Sequence, residues 1–156
     1  MLKRIFLCLA AALVALQFIR SAENTAAESD RDHDVVRLYA PPENVKRTLE
    51  SACYDCHSNH TRYPWYAQIQ PMRWWMDRHV RDGRKQLNFS EFGRLPPARA
   101  QSKLEDCIDE VAEGRMPLRS YTLVHSGARL SNEQVEAFSD WAERVIEQLE
   151  SKPEPK

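Results

Sequence analysis

The sequence lacks what a sheet protein needs. No segment alternates apolar and polar residues over the length of a strand, so helical periodicity has to carry the fold, and the chain reads as all-α. There is no internal repeat and no second pair of cysteines. Positive charge is not in excess either: residues 23–156 hold 19 basic against 23 acidic side chains, because Lys3, Arg4 and Arg20 lie upstream. A net charge of about −4 excludes a binder of nucleic acid or other polyanions. No exposed nucleophile stands beside a base and no carboxylates pair at a defined spacing, so the chain does not read as an enzyme.

What is present falls into four parts. Residues 1–22 carry Lys3 and Arg4 ahead of an apolar run from Ile5 to Ile19 broken by Gln17, the pattern of an export signal or membrane anchor. Thr25-Ala26-Ala27 could serve as a cleavage site, whereas Arg20 spoils a cut after Ala22; a retained anchor helix in the inner membrane, with the body facing the periplasm, is favoured over export with cleavage. Cys8 reads as an ordinary apolar residue of that segment. Residues 23–34 are polar and without apolar periodicity, a flexible tether. Residues 35–150 suffice for one domain with one core, and 151–156, with Pro153 and Pro155, read as a disordered tail.

Within the domain, Pro41-Pro42-Glu43 opens a helix whose Val45, Leu49 and Ala52 lead into Cys53. The loop from His60 to Tyr66 carries aromatics in need of burial. Pro71 starts a second helix with Met72, Trp75, Met76, His79 and Val80 on one face and Gly83 as its stop. Ser90 is placed to cap a short turn in Asn88–Phe92. A third helix spans Pro97 to Glu113, with Cys107 in its apolar stripe and Gly114 closing it. Ser131 and Gln134 form a capping box ahead of Val135, Phe138, Trp141, Ala142, Val145 and Leu149, the strongest amphipathic pattern in the chain.

The chemistry concentrates in Ser51-Ala-Cys-Tyr-Asp-Cys-His-Ser-Asn-His60. A redox disulfide of this spacing belongs at a strand-to-helix junction, which the chain lacks. A zinc site would have to draw Cys53, Cys56, His57 and His60 from one tight turn, with the adjacent Cys56 and His57 straining to reach the same ion. Cys-x-x-Cys-His is the attachment signature of c-type haem: Cys53 and Cys56 form thioethers and His57 becomes the proximal iron ligand. Export ahead of the motif agrees with it.

The opposite axial ligand has several candidates. His60 is too near His57 in the chain to reach the far face. Met72, Met76 and His79 lie on a helix face, where core packing is the plainer reading. Met116 stands between Gly114 and Pro117 on an irregular segment able to lay a thioether on iron, and His125 is its chief rival. Arg62 and Arg84 read as solvated or as partners of haem propionates.

Several stretches together resemble the haem-binding domain family, small single-haem proteins similar to class I cytochromes c: Cys53-x-x-Cys56-His57, Tyr63-Pro-Trp-Tyr66, Trp74-Trp75, Asn88-Phe-Ser90 and Met116-Pro-Leu118. The likeness covers about Leu38 to Trp141. It implies a cytochrome c-like helical domain with one haem c per chain held by Cys53, Cys56, His57 and Met116, and an electron carrier with a redox partner protein. A haem sensor or small peroxidase with an open distal site is the alternative.

Overall fold

Helical periodicity governs the whole described chain. In the computed structural model, which describes residues 1–25 and 32–151, the helices in order are α1 (Leu2–Leu16), α2 (Val35–Tyr39), α3 (Glu43–Thr48), α4 (Tyr54–His57), α5 (Met72–Gln86), α6 (Pro97–Ala112), α7 (Arg119–Val124) and α8 (Asn132–Glu150). The all-α class expected from the sequence holds. Among the described residues the one pairing of extended backbone is an antiparallel bridge between Thr25 and His60.

The scaffold is α6 packed along α8, with α3 crossing α8. Ser131 accepts the Gln134 N–H at 3.3 Å while Gln134 Oε1 accepts the Ser131 N–H at 2.9 Å, so the capping box starts α8 as its sequence demands. Phe138, Trp141, Ala142, Val145 and Leu149 then meet Leu104 and Val111 of α6 and Val45 and Leu49 near α3 in one buried cluster. Removing all but the β-carbon of a wholly buried leucine such as Leu104 costs about 2–5 kcal/mol.

Several expectations are corrected. Gly83 does not stop α5, which runs on to Gln86. A Cβ on Gly83 would lie 2.6 Å from the Cys56 carbonyl oxygen, so the glycine is there to let α4 and α5 touch. Asn88, not Ser90, caps the turn Phe89–Arg94, accepting the Ser90 N–H; Ser90 itself is buried, its hydroxyl accepting the Asn59 N–H. Trp65, assigned to burial, is exposed. The short helices α2 and α7 have too few residues to show a period, and the sequence reading passes over them.

The N-terminal segment forms α1 with no buried residue. At 15 residues it is about 22 Å long against a hydrocarbon core of about 30 Å. Among the described residues no helix is long and apolar enough to cross a membrane.

The 23–34 stretch, read as a tether, is fixed at both ends. Asn24 donates to the Ser58 carbonyl (2.9 Å) and to Thr61 Oγ1 (2.8 Å), and Asp34 is buried as the cap of α2, accepting the Val36 N–H at 2.9 Å. These polar side chains find partners on the domain surface, which a composition argument cannot see. Residues 26–31 of the tether, and 152–156 of the tail, lie outside the described residues.

Candidate functional site

The helix that begins at Glu43 does not stop at Thr48. It widens into a π-helical stretch over Leu49–Cys53, where the Tyr54 N–H reaches back to the Leu49 carbonyl, and resumes as α4. Such a widened turn re-aims the residues after it and is frequent at functional sites. Here it delivers Cys53, Cys56 and His57 to a chain of cavities.

One cavity, about 440 Å³, is lined by Cys53, His57, Leu87, Phe89, Cys107, Met116 and Phe138 among others. A second, about 200 Å³, shares His57 and Met116 and adds Cys56, His79 and Tyr121. A third, about 130 Å³, shares Cys56, His79 and Tyr121 and is completed by Met72, Trp75 and Met76. All four residues singled out from the sequence, Cys53, Cys56, His57 and Met116, line these cavities, and His57 and Met116 line the first two together.

His57 is held for ligation. Its Nδ1 lies 3.1 Å from the Leu87 carbonyl, and because a carbonyl only accepts, Nδ1 carries the proton and Nε2 keeps its lone pair. Burial lowers its pKa, against the opposing pull of the Leu87 and Gly83 backbone, so the ring is neutral as a metal ligand must be. The ring edge meets Phe89 at 6.2 Å.

Burial pushes the Cys53 thiol up to about 12, with Cys107 and Cys56 adding to it, and the Cys56 thiol up to about 11, with Asp55 adding to it. Among the described residues no three His, Cys, Asp or Glu side chains gather as a metal site.

Cys107, read as buried core, is half-buried and lines the same cavity as Cys53, with its thiol also raised to about 12 by burial.

Met116 sits where α6 ends. Gly114 takes the left-handed conformation (φ 67°), and the N–H groups of Arg115 and Met116 both return to the Glu110 carbonyl, at 2.9 and 3.0 Å. That closure turns the chain so that Met116, Pro117 and Leu118 run along the cavity.

The histidines separate cleanly. His125 Nδ1 donates to the Tyr121 carbonyl (3.1 Å) and Nε2 accepts from the Tyr66 hydroxyl (2.9 Å), which occupies both nitrogens. His79 binds the Trp75 carbonyl through Nδ1 (2.8 Å) and keeps Nε2 free on the cavity wall, so it replaces His125 as the rival of Met116. His60 donates its backbone N–H to Ser58 Oγ, while its Nε2 is buried without a partner. Met72 and Trp75 are not core: they keep 43 % and 42 % of their surface exposed.

The sequence reading overlooked the two residues between the cysteines. Tyr54 donates its hydroxyl to Asp34 (2.8 Å) and stacks on Phe89. Asp55, buried, accepts from the Tyr121 hydroxyl (2.7 Å), from Arg62 Nε (3.0 Å) and from the Arg62 N–H (3.1 Å). Arg62 is thus paired within the protein, and Arg84 is bonded to Asn59 Oδ1 at 2.7 Å. These clamps hold the motif from both sides. The signal available in the sequence was the pair of polar residues themselves, set where the chain must be rigid.

The set fits a covalently held porphyrin: two neutral thiols three positions apart, a neutral imidazole with its lone pair on the cavity, apolar walls from Phe89, Phe138, Val111 and Leu87, and a thioether or second imidazole as a further donor. Against known proteins, the model of the family described as haem-binding domain matches residues 11–144. No curated protein and no solved structure matches the chain.

Proposed function

The chain belongs to the haem-binding domain family, and from that membership we propose that it is a c-type cytochrome carrying electrons on the periplasmic side of the cytoplasmic membrane, where its N-terminal segment holds it. One haem per chain is bound through thioethers to Cys53 and Cys56. When bound, haem supplies one-electron cycling between ferric and ferrous iron. His57 is the proximal ligand, oriented by Leu87. Met116 is the distal ligand, and its soft thioether favours ferrous iron and raises the potential relative to a second histidine. The protein acts as a carrier rather than an enzyme, and its redox partner docks transiently.

The observation that carries this reading is the 3.1 Å contact of His57 Nδ1 with the Leu87 carbonyl, in a residue that lines one cavity with Met116 and is left with Nε2 for a metal. The test is the ferric and ferrous spectrum of the haem-loaded full chain with Met116→Ala and His79→Ala beside it. Met116→Ala removes the thioether–iron charge-transfer absorption and opens the ferrous iron to carbon monoxide, while His79→Ala changes neither. The reverse result makes His79 the ligand. Ready carbon monoxide binding by the unaltered protein overturns the carrier and favours the sensor or peroxidase reading.

A further inference from the structure

The N-terminal segment meets the domain at a built joint. The Gln70 N–H donates to Gln17 Oε1 at 2.9 Å and Gln70 Nε2 to the Ile19 carbonyl at 2.7 Å. Arg73 Nη2 donates to the Ser21 carbonyl at 2.9 Å. Gln70 and Arg73 are both buried, so the joint belongs to the body of the domain and leaves no slack after α1.

Around this joint the domain leaves large apolar side chains in the open. Trp65 is 76 % exposed, and Ile69 and Trp74 are exposed on either side of Gln70, with Phe18 and Ile19 exposed on the incoming chain. The Trp74 N–H itself points to Gln70 Oε1 at 3.4 Å. Exposed indole rings gathered at the end of an apolar helix match the membrane–water boundary, where an amphipathic ring has both its solvents. Length points the same way. An apolar helix of about 22 Å falls short of a hydrocarbon core of about 30 Å, and a short segment is accommodated by drawing its flanks towards the lipid. Because Gln17 and Ile19 are bonded to Gln70, the flank drawn in here includes Ile69, next to Gln70 in the chain, and Trp74, whose backbone N–H meets Gln70, with Trp65 one short turn before Ile69.

We propose that Trp65, Ile69 and Trp74 form a second membrane contact, on which the haem domain rests with these side chains in the headgroup layer of a lipid bilayer. The inference rests on the reading of α1 as an anchor.

The test uses the haem-loaded full chain in nanodiscs of phosphatidylcholine and phosphatidylglycerol holding one copy each, with hydroxyl-radical footprinting read by mass spectrometry. Trp141, 2 % exposed, is the internal standard with the same ring chemistry. Labelling of Trp65 and Trp74 lowered towards that of Trp141, with Leu2–Leu16 also protected, is the expected result, since the headgroup layer shields most of each ring from water. Protection of Leu2–Leu16 with Trp65 and Trp74 labelled far faster than Trp141 overturns the second contact and leaves the anchor standing. Free labelling of Leu2–Leu16 overturns the anchor and the contact together. Protection of Trp65 that appears only in densely loaded vesicles assigns the face to a second copy of the chain and overturns the bilayer.

Discussion

Leu104 on α6 is wholly buried, whereas Trp75 on α5, an apolar residue on an equally amphipathic helix, keeps 42 % of its surface in solvent. The contrast runs through both halves of the molecule. In the scaffold of α3, α6 and α8, the apolar stripes cover one another, and only their margin at Cys107, Val111 and Phe138 borders a cavity. In the half built by α4, α5 and α7, apolar side chains border cavities, and order comes from polar clamps on Asp34, Asp55 and Asn59 instead. Protein interiors are close-packed, so a stripe that no protein covers marks the place of another component. The motif cysteines stand at the boundary, on a helix whose first turns belong to the scaffold and whose last turn belongs to the cavities.

The largest effect that would break this comparison is loss of the component itself. Cys53→Ala with Cys56→Ala, expressed in a host able to mature c-type haem, is expected to give protein from which acid–acetone removes all colour, against none removed from the unaltered chain. Equal extraction from both would refute covalent attachment. The next effect separates the halves. Leu104→Ala is expected to destabilise the chain by about 2–5 kcal/mol with or without haem, since its surroundings are protein alone. Trp75→Ala is expected to cost less than about 1 kcal/mol without haem, as exposed positions do, and clearly more with it. Denaturant unfolding of both forms reads the difference; a Trp75→Ala loss that is the same in each would mean that nothing covers this face.

The two halves also differed in how far the sequence revealed them. α8 could be read with its cap because its signals are local: Ser131 and Gln134 are three residues apart and the apolar stripe repeats within one helix. Cys53, Cys56 and His57 were equally plain, since their chemistry lies in their spacing. Met116 was found through its helix stop at Gly114, again a local feature. The clamps were not visible, because Tyr54 meets Asp34 and Asp55 meets Tyr121 across separations of 20 and 66 residues in the chain, and nothing local distinguishes those side chains from surface polar residues. The docking of Asn24 was hidden for the same reason. His125 looked free in the sequence because its partners, Tyr66 hydroxyl and Tyr121 carbonyl, reach it only in the fold.

Gly83 gives the smallest and sharpest test of the boundary, because two rules of helix chemistry oppose each other there. Alanine is the better helix former by about 1 kcal/mol, and Gly83 lies inside α5 with an ordinary helical backbone, so propensity alone predicts that Gly83→Ala stabilises the protein. The added Cβ, however, would stand 2.6 Å from the carbonyl oxygen of Cys56 and 3.2 Å from its Cβ, and a backbone atom cannot rotate away as a side-chain tip can. Forcing α4 from α5 costs about 1–3 kcal/mol and outweighs the propensity gain. The displaced turn carries Cys56 and His57, whose ring is also held by Leu87 just beyond α5. Gly83→Ala is therefore expected to lower stability modestly in denaturant unfolding and to reduce the yield of covalently loaded haem, while Gly114→Ala, strained by its φ of 67° despite the open space around its Cβ, lowers stability and leaves α4 against α5 undisturbed. A more stable Gly83→Ala protein with full haem loading would show that the contact between these helices does not position the motif.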